Sequence, residues 1–241
     1  MTDISLPAGA FADGDLRIGR IFSETWSVFS RNLLAFTAIA ALASVPPFLL
    51  EIEGQAGPGK VLAFALSPFS QAMMVYGAFQ VMLGQRFSVA ESARIGLRRF
   101  LPILAASIIW PIGVALGMLL LIVPGVMLFA AWFVTMPACV VERLDPLSSL
   151  ERSRELTRGH RWQILGLNLV VAILTIVLSV IASAMMAALL GSDETMLAQA
   201  LGLIWSTLRT ALCAIVGVVT YRDLRVAKEG VDTSHIAAVF E

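Results

Sequence analysis

The sequence predicts an all-α integral membrane protein of six transmembrane helices with three cytoplasmic-side amphipathic interfacial helices, and three observations carry that prediction. First, 58% of the 241 residues are hydrophobic and 14% are charged, with a mean hydropathy of +0.85. Soluble chains run about 25% charged, so lipid has to cover the excess apolar surface. Second, the chain holds apolar runs at 33–50, 61–83, 101–123, 125–141, 164–190 and 197–220, each near the roughly 17 to 25 residues that cross a hydrocarbon core. Third, of seventeen Lys and Arg residues, setting aside Lys60 and Arg209 leaves fifteen, all in segments that share one side if the runs are spans. Cationic segments are retained on the cytoplasmic side during insertion, which places both termini in the cytoplasm.

Residues 1–15 are expected to form a disordered polar N-terminus. The first 32 residues contain Asp3, Asp13, Asp15 and Glu24 and no basic stretch followed at once by an apolar core, so no cleavable signal peptide is expected. A single membrane domain is expected over 16–228, followed by a polar tail at 229–241. It opens with Ile18, Phe22, Trp26, Phe29 and Leu33 at helical spacing, the pattern of a helix lying among the headgroups. After the first two spans, Ser88 with Glu91 three positions on is a capping-box signature, followed by Arg94, Arg98 and Arg99. The third and fourth spans meet at Val123-Pro124-Gly125, where a tight turn is expected because Pro fixes φ and Gly accepts positive φ. The fourth span is the weakest and contains Pro137. A third short helix is expected from Pro146 to Arg158, stopped by Gly159 at its C′ position.

Each short helix leads into a span through a basic and apolar junction: Arg31-Asn32-Leu33-Leu34, Arg99-Phe100-Leu101-Pro102 and Arg161-Trp162-Gln163-Ile164. The junctions recur about every sixty-five residues, which suggests three parallel repeats of an interfacial helix plus a transmembrane hairpin. The general enrichment of arginine and aromatic residues at the inner membrane interface accounts for the same junctions.

Arg209 lies about twelve residues from either end of the last span, near 18 Å from each interface at 1.5 Å per residue. An arginine at that depth costs roughly 2.5 to 3.5 kcal/mol, so it should face protein or water. Gln71 and Thr175 fall at similar depth, and Arg209 is expected to hydrogen-bond them and the carbonyls freed near Pro68, either as a structural clamp or as an anion site. Gly113 and Gly117 form a small-xxx-small pair expected to bring helices close inside the monomer. Cys139 and Cys213 both fall in apolar runs, where a small buried hydrophobe is the expected role.

The most specific stretch runs from Pro124 to Trp162. Glu142 stands at the end of the fourth span, within reach of Arg152 or Arg154 if the next helix folds back. The pattern made by Pro124, Gly125, Leu128, Pro137, Val140, Glu142, Leu150, Arg152, Ser153, Leu156, Thr157, Gly159 and Trp162 resembles that of the bacterial membrane-domain family named after glycerophosphoryl diester phosphodiesterases, and of the related YciC-type proteins. The segment Tyr221-Arg222-Asp223-Leu224-Arg225 is similar to that family's closing pattern. The resemblance implies a bacterial inner-membrane location and a loose link to phospholipid metabolism. No fused phosphodiesterase domain is expected in these residues, so it implies no hydrolase activity.

No HExxH, GxSxG, paired intramembrane aspartates or cysteine-histidine cluster is present, and His160 and His235 stand alone. The expectation is therefore a non-enzymatic protein without metal or cofactor that binds or organises anionic phospholipid at the cytoplasmic leaflet. Arg98, Arg99, Arg152, Arg154, Arg158, Arg222 and Arg225 are the candidate headgroup contacts, at roughly 1 kcal/mol each. The expected partner is the lipid bilayer; no nucleic acid is expected, and a protein partner or homo-oligomer is left open. Two alternatives make distinct demands. A transporter or flippase component needs a cavity reaching Arg209, and a lipid-headgroup enzyme needs a cleft joining Glu142 to Arg152, Arg222 and Arg225.

Overall fold

The computed structural model describes residues 17–190 and 196–229, and no strand occurs among them. The expected disordered N-terminus at 1–15 and all of the tail beyond Glu229 lie outside the described residues. The elements are α1 (Ile18–Arg31), α2 (Leu33–Ile52), α3 (Ala56–Met82), α4 (Val89–Arg98), α5 (Phe100–Leu120), α6 (Ile122–Ala131), α7 (Thr135–Val141), α8 (Pro146–Thr157), α9 (Arg161–Leu190) and α10 (Met196–Glu229). Six stretches are long and apolar enough to cross a membrane: Leu33–Ile52, Gly57–Met82, Phe100–Leu120, Ile122–Val141, Arg161–Met185 and Ala200–Glu229. They fall on the six apolar runs of the sequence, with α6 and α7 together making the fourth.

α3 and α10 form the centre. Every residue from Ala72 to Gln80 on α3 is buried, and α10 buries Ile215, Val216 and all residues from Val218 to Leu224. α3 packs against α2, α4, α5, α7 and α10. At the other extreme, α9 buries Ile164 and Leu167 near its start and then exposes Ile173, Ile176, Val177, Val180 and Ile181. Apolar surface of that extent needs a lipid or protein cover.

The structure moves the expected turn at Pro124-Gly125. Leu121 makes the turn with extended backbone (φ −161°, ψ 137°), and Pro124 and Gly125 lie in the first turn of α6. Proline is tolerated there because a first-turn N–H has no intrahelical acceptor in any case. Gly125 serves contact between helices: a Cβ on it would lie 2.5 Å from Met118 N and 2.6 Å from Met118 Cα. On the facing helix, a Cβ on Gly117 would stand 3.1 Å from Gly125 Cα, and one on Gly113 would meet the Trp132 ring at 2.3 Å. Three glycines thus let α5 and α6 run side by side as an antiparallel hairpin.

The fourth span is broken at Trp132–Val134, which leaves Pro137 in the first turn of α7. Proline in a continuous helix would clash with the carbonyl four residues earlier. The carbonyl of Ala131 at the break is taken up from the side: the Ser153 hydroxyl donates to it at 2.9 Å and that of Thr157 at 3.1 Å. α8 is therefore fastened to the bundle by a buried polar face, including Ser149, Ser153 and Thr157. Its ends are set locally. Asp145 caps the start by accepting from Ser148 N at 3.2 Å, Pro146 follows at the first position, and Gly159 (φ 94°) ends it.

The Ser88 cap of α4 is present, accepting from Glu91 N at 3.3 Å. Glu91 does not close the reciprocal half of the box. Its carboxylate accepts from Tyr76 Oη and Gln80 Nε2, both at 2.9 Å, while Gln80 Oε1 accepts from Ser88 N. The short helix is thereby clamped to the end of α3.

Replacing Gly125 by Ala is expected to lower stability by about 1 to 3 kcal/mol through overpacking against the Met118 backbone. Gly166, around which a Cβ would meet nothing within 4 Å, should accept Ala without loss. Thermal unfolding of both variants in detergent measures the difference.

Candidate functional site

At one end of the bundle the last two turns of α10 meet α1, α7 and α8 through two clusters of charge. In the first, Arg152 Nε donates to both Glu142 oxygens at 3.0 and 2.9 Å, and its Nη2 pairs with Glu229. Tyr221 donates its hydroxyl to Glu142 Oε1 at 2.5 Å, and Arg225 pairs with Glu229 at 2.8 Å. Partial burial alone would loosen the Arg152 proton, but the Glu229 and Glu142 carboxylates outweigh it and hold Arg152 more firmly protonated than usual. In the second cluster, Asp223, with a side chain 1% exposed, accepts from Arg20 at 2.9 Å and from Arg222 at 2.9 Å. Arg222 also pairs with Glu24.

These clusters revise the list of expected headgroup contacts. Arg152 and Arg222 face carboxylates of other helices and hold helices together, while Arg225 pairs with Glu229 within α10. Arg99 donates to the Leu144 carbonyl at 3.0 Å. Glu142 and Arg152 do meet, but Tyr221, rather than Arg222, completes the group, and it is a closed knot of pairs instead of an open cleft. Neither Arg20 nor Glu229 was singled out by the sequence. Their partners lie 203 and 77 positions away, a separation that no local pattern reveals.

A different set stays free. The side chains of Arg98, Arg154, Arg158 and Arg161 form no hydrogen bond or ion pair with any described residue. Three of them, Arg154, Arg158 and Arg161, line one groove of about 520 Å³ at the α8–α9 junction, together with Trp162, Gly159, Met127, Glu151 and Glu155. Trp162 is 76% exposed at its rim. Arg161, part of the third basic and apolar junction but not among the expected headgroup contacts, follows directly on the turn that Gly159 makes, so the reversal between α8 and α9 brings it alongside Arg154 and Arg158.

Arg209 borders two cavities. The larger, about 590 Å³, is lined by Gln71 and Pro68 of α3, Trp110 and Pro111 of α5, and Trp132 and Pro137 of the broken span, among others. The smaller, about 340 Å³, lies between α1, α9 and α10 and includes Thr175, Trp205 and Trp26. The expected clamp is not made. Thr175 donates to the Val171 carbonyl at 2.7 Å, Gln71 shares the larger cavity without bonding to Arg209, and Arg209 has no hydrogen-bond or ionic partner among the described residues. Cys139 is buried as expected, whereas Cys213, one turn beyond Arg209, is exposed and lines both cavities. No group of three metal-ligating side chains occurs among the described residues.

Residues 105–224 match a family described as a domain of unknown function, DUF7847. That match covers just under half of the chain, from within α5 to Leu224, and so includes the groove, Glu142, Arg152, Tyr221 and Arg209, while Arg225 and Glu229 of the knot lie beyond it. No curated protein and no solved structure matches the chain.

Glu142→Gln should keep the shape of the knot but remove its charge, and a loss of about 1 to 3 kcal/mol is expected from leaving Arg152 underpaired. In a double-mutant cycle with Arg152→Met, measured by thermal unfolding, the double variant should lose less than the sum of the two single losses.

Proposed function

We propose that this chain is a multi-pass protein of the bacterial inner membrane, with both termini cytoplasmic, that binds or organises anionic phospholipid at the cytoplasmic leaflet without transforming it. The observation that carries the reading is the division of the arginines at the basic end. One set is neutralised by internal carboxylates; the other, Arg154, Arg158 and Arg161, converges on a groove beside an exposed tryptophan. Guanidinium groups in that arrangement match the geometry of phosphate oxygens, and an indole at the rim suits the headgroup level of a bilayer. The two glutamates in the groove leave one net positive charge there, in keeping with a headgroup of single negative charge.

Exposed apolar residues on the short helices support seating at an interface: Trp26 on α1 (64% exposed), Leu97 on α4 (72%) and Leu147 on α8 (66%). The order α1 before α2–α3, α4 before α5–α7, and α8 before α9–α10 fits the threefold repeat of a short helix and a membrane hairpin. The resemblance to the glycerophosphoryl diester phosphodiesterase membrane domains points to the same lipid setting.

Three arginines at roughly 1 kcal/mol each amount to about a hundredfold in affinity. Native mass spectrometry of the protein released from phosphatidylglycerol-containing membranes should show retained anionic lipid. Combined Arg154→Gln, Arg158→Gln and Arg161→Gln substitutions should remove it, while Arg98→Gln should not. Equal retention in the triple variant, or retention of phosphatidylcholine to the same degree, would overturn the proposal.

A further inference from the structure

Arg209 is a full positive charge without a described partner, about 18 Å along α10 from Tyr221 at 1.5 Å per residue. A guanidinium at that depth costs roughly 2.5 to 3.5 kcal/mol when nothing neutralises it. No acidic side chain lines either cavity that it borders.

The larger cavity has a construction that simple loose packing does not explain. Three prolines from three separate elements, Pro68, Pro111 and Pro137, all line it, and so do the residues four positions before them, Phe64, Ser107 and Phe133. Proline has no N–H to give, so the Phe64 and Ser107 carbonyls inside α3 and α5 are deprived of their usual i+4 donor, while Phe133 lies in the break just before α7 and Pro137 in that helix's first turn. One is partly covered, because Ser67 Oγ donates to the Phe64 carbonyl at 3.3 Å. Backbone irregularity at membrane depth is tolerated where it faces protein or a cavity, and here three irregularities face the same one. Trp110, Phe129 and Trp132 give the remaining walls an aromatic side, and the volume of about 590 Å³ lies within the range of small-molecule sites.

We propose that this cavity is an intramembrane binding site for a singly charged oxyanion carried on an apolar body, a carboxylate or phosphodiester amphiphile entering from the bilayer. Arg209 holds the oxyanion through charge-assisted hydrogen bonds, and the Trp110 and Trp132 side of the cavity holds the apolar part. Charge selects a monoanion: one guanidinium and no lining carboxylate are neutralised by one negative charge, whereas a dianion would leave a net charge in a medium of low dielectric. Size and wall chemistry exclude a bare inorganic anion as the fitting occupant, since it would leave most of the aromatic surface uncovered. This site draws on none of the residues of the arginine groove and does not rest on headgroup binding there.

The test uses the full chain in phosphatidylcholine nanodiscs at pH 8, with tryptophan emission quenched by brominated amphiphiles. The probes are a bromododecanoate, its methyl ester, and a brominated phosphatidylglycerol. Saturable quenching by either anionic probe, at least tenfold weaker for the ester, is expected; which of the two quenches identifies carboxylate or phosphodiester as the oxyanion. Trp132→Phe should remove a large part of the signal. Arg209→Lys should retain binding, Arg209→Leu should weaken it tenfold or more, and the triple groove variant should leave it unchanged. Equal quenching by acid and ester, or loss of binding in the groove variant, would overturn the proposal. Should Arg209→Leu fail to fold, the wild-type chain decides the matter through Cys213, which is exposed where Cys139 is buried. Saturating anionic amphiphile should slow maleimide labelling of Cys213 at least fivefold, and an unchanged rate would sink the site.

Discussion

The carboxylate of Glu142 is the constraint on which the rest of the basic end depends. It stands one residue past α7 and receives Arg152 from α8 and Tyr221 from α10. Through Arg152 the link extends to Glu229, and through Glu229 to Arg225. Three elements are thus set in one register. That register holds α8 in place, and with it the reversal that Gly159 makes and the positions of Arg158 and Arg161. The groove is a by-product of the knot: charges consumed on one face of α8 leave the charges on the other face to act outward.

The glycines and prolines divide the labour in the middle of the bundle. Gly117 and Gly125 bring α5 and α6 into backbone contact, and Gly113 makes room for the Trp132 ring, which closes that side. Pro68, Pro111 and Pro137 do the reverse, each preventing continuous helical bonding where three elements face a common space. Close packing on one side and interrupted helices on the other produce a cavity held open by covalent geometry, with no need for a ligand to prop it apart.

The six membrane-length helices could be read from composition and run length, because the cost of exposing polar backbone to hydrocarbon leaves few other solutions. Helix ends marked by Ser88, Asp145 and Gly159 lie where local chemistry puts them. The Pro124-Gly125 pair was misread as a turn because its two residues favour turns in water, while between packed helices the same pair suits a first turn and a close crossing. The Arg209 clamp failed for a related reason: depth in a span says which residues share a level, not which way they face around the helix axis. Arg152 was legible as a partner of Glu142 because only ten residues separate them. Arg20 and Asp223 were not, since nothing in either neighbourhood names the other.

The pairing of Arg20 with Asp223 and of Glu24 with Arg222 joins the first described helix to the last. A ribosome delivers these partners in order, separated by almost the whole chain. α1 therefore lacks these partners while α2 to α9 are being made. A truncation anywhere before Arg222 therefore leaves α1 without the carboxylate and guanidinium that seat it.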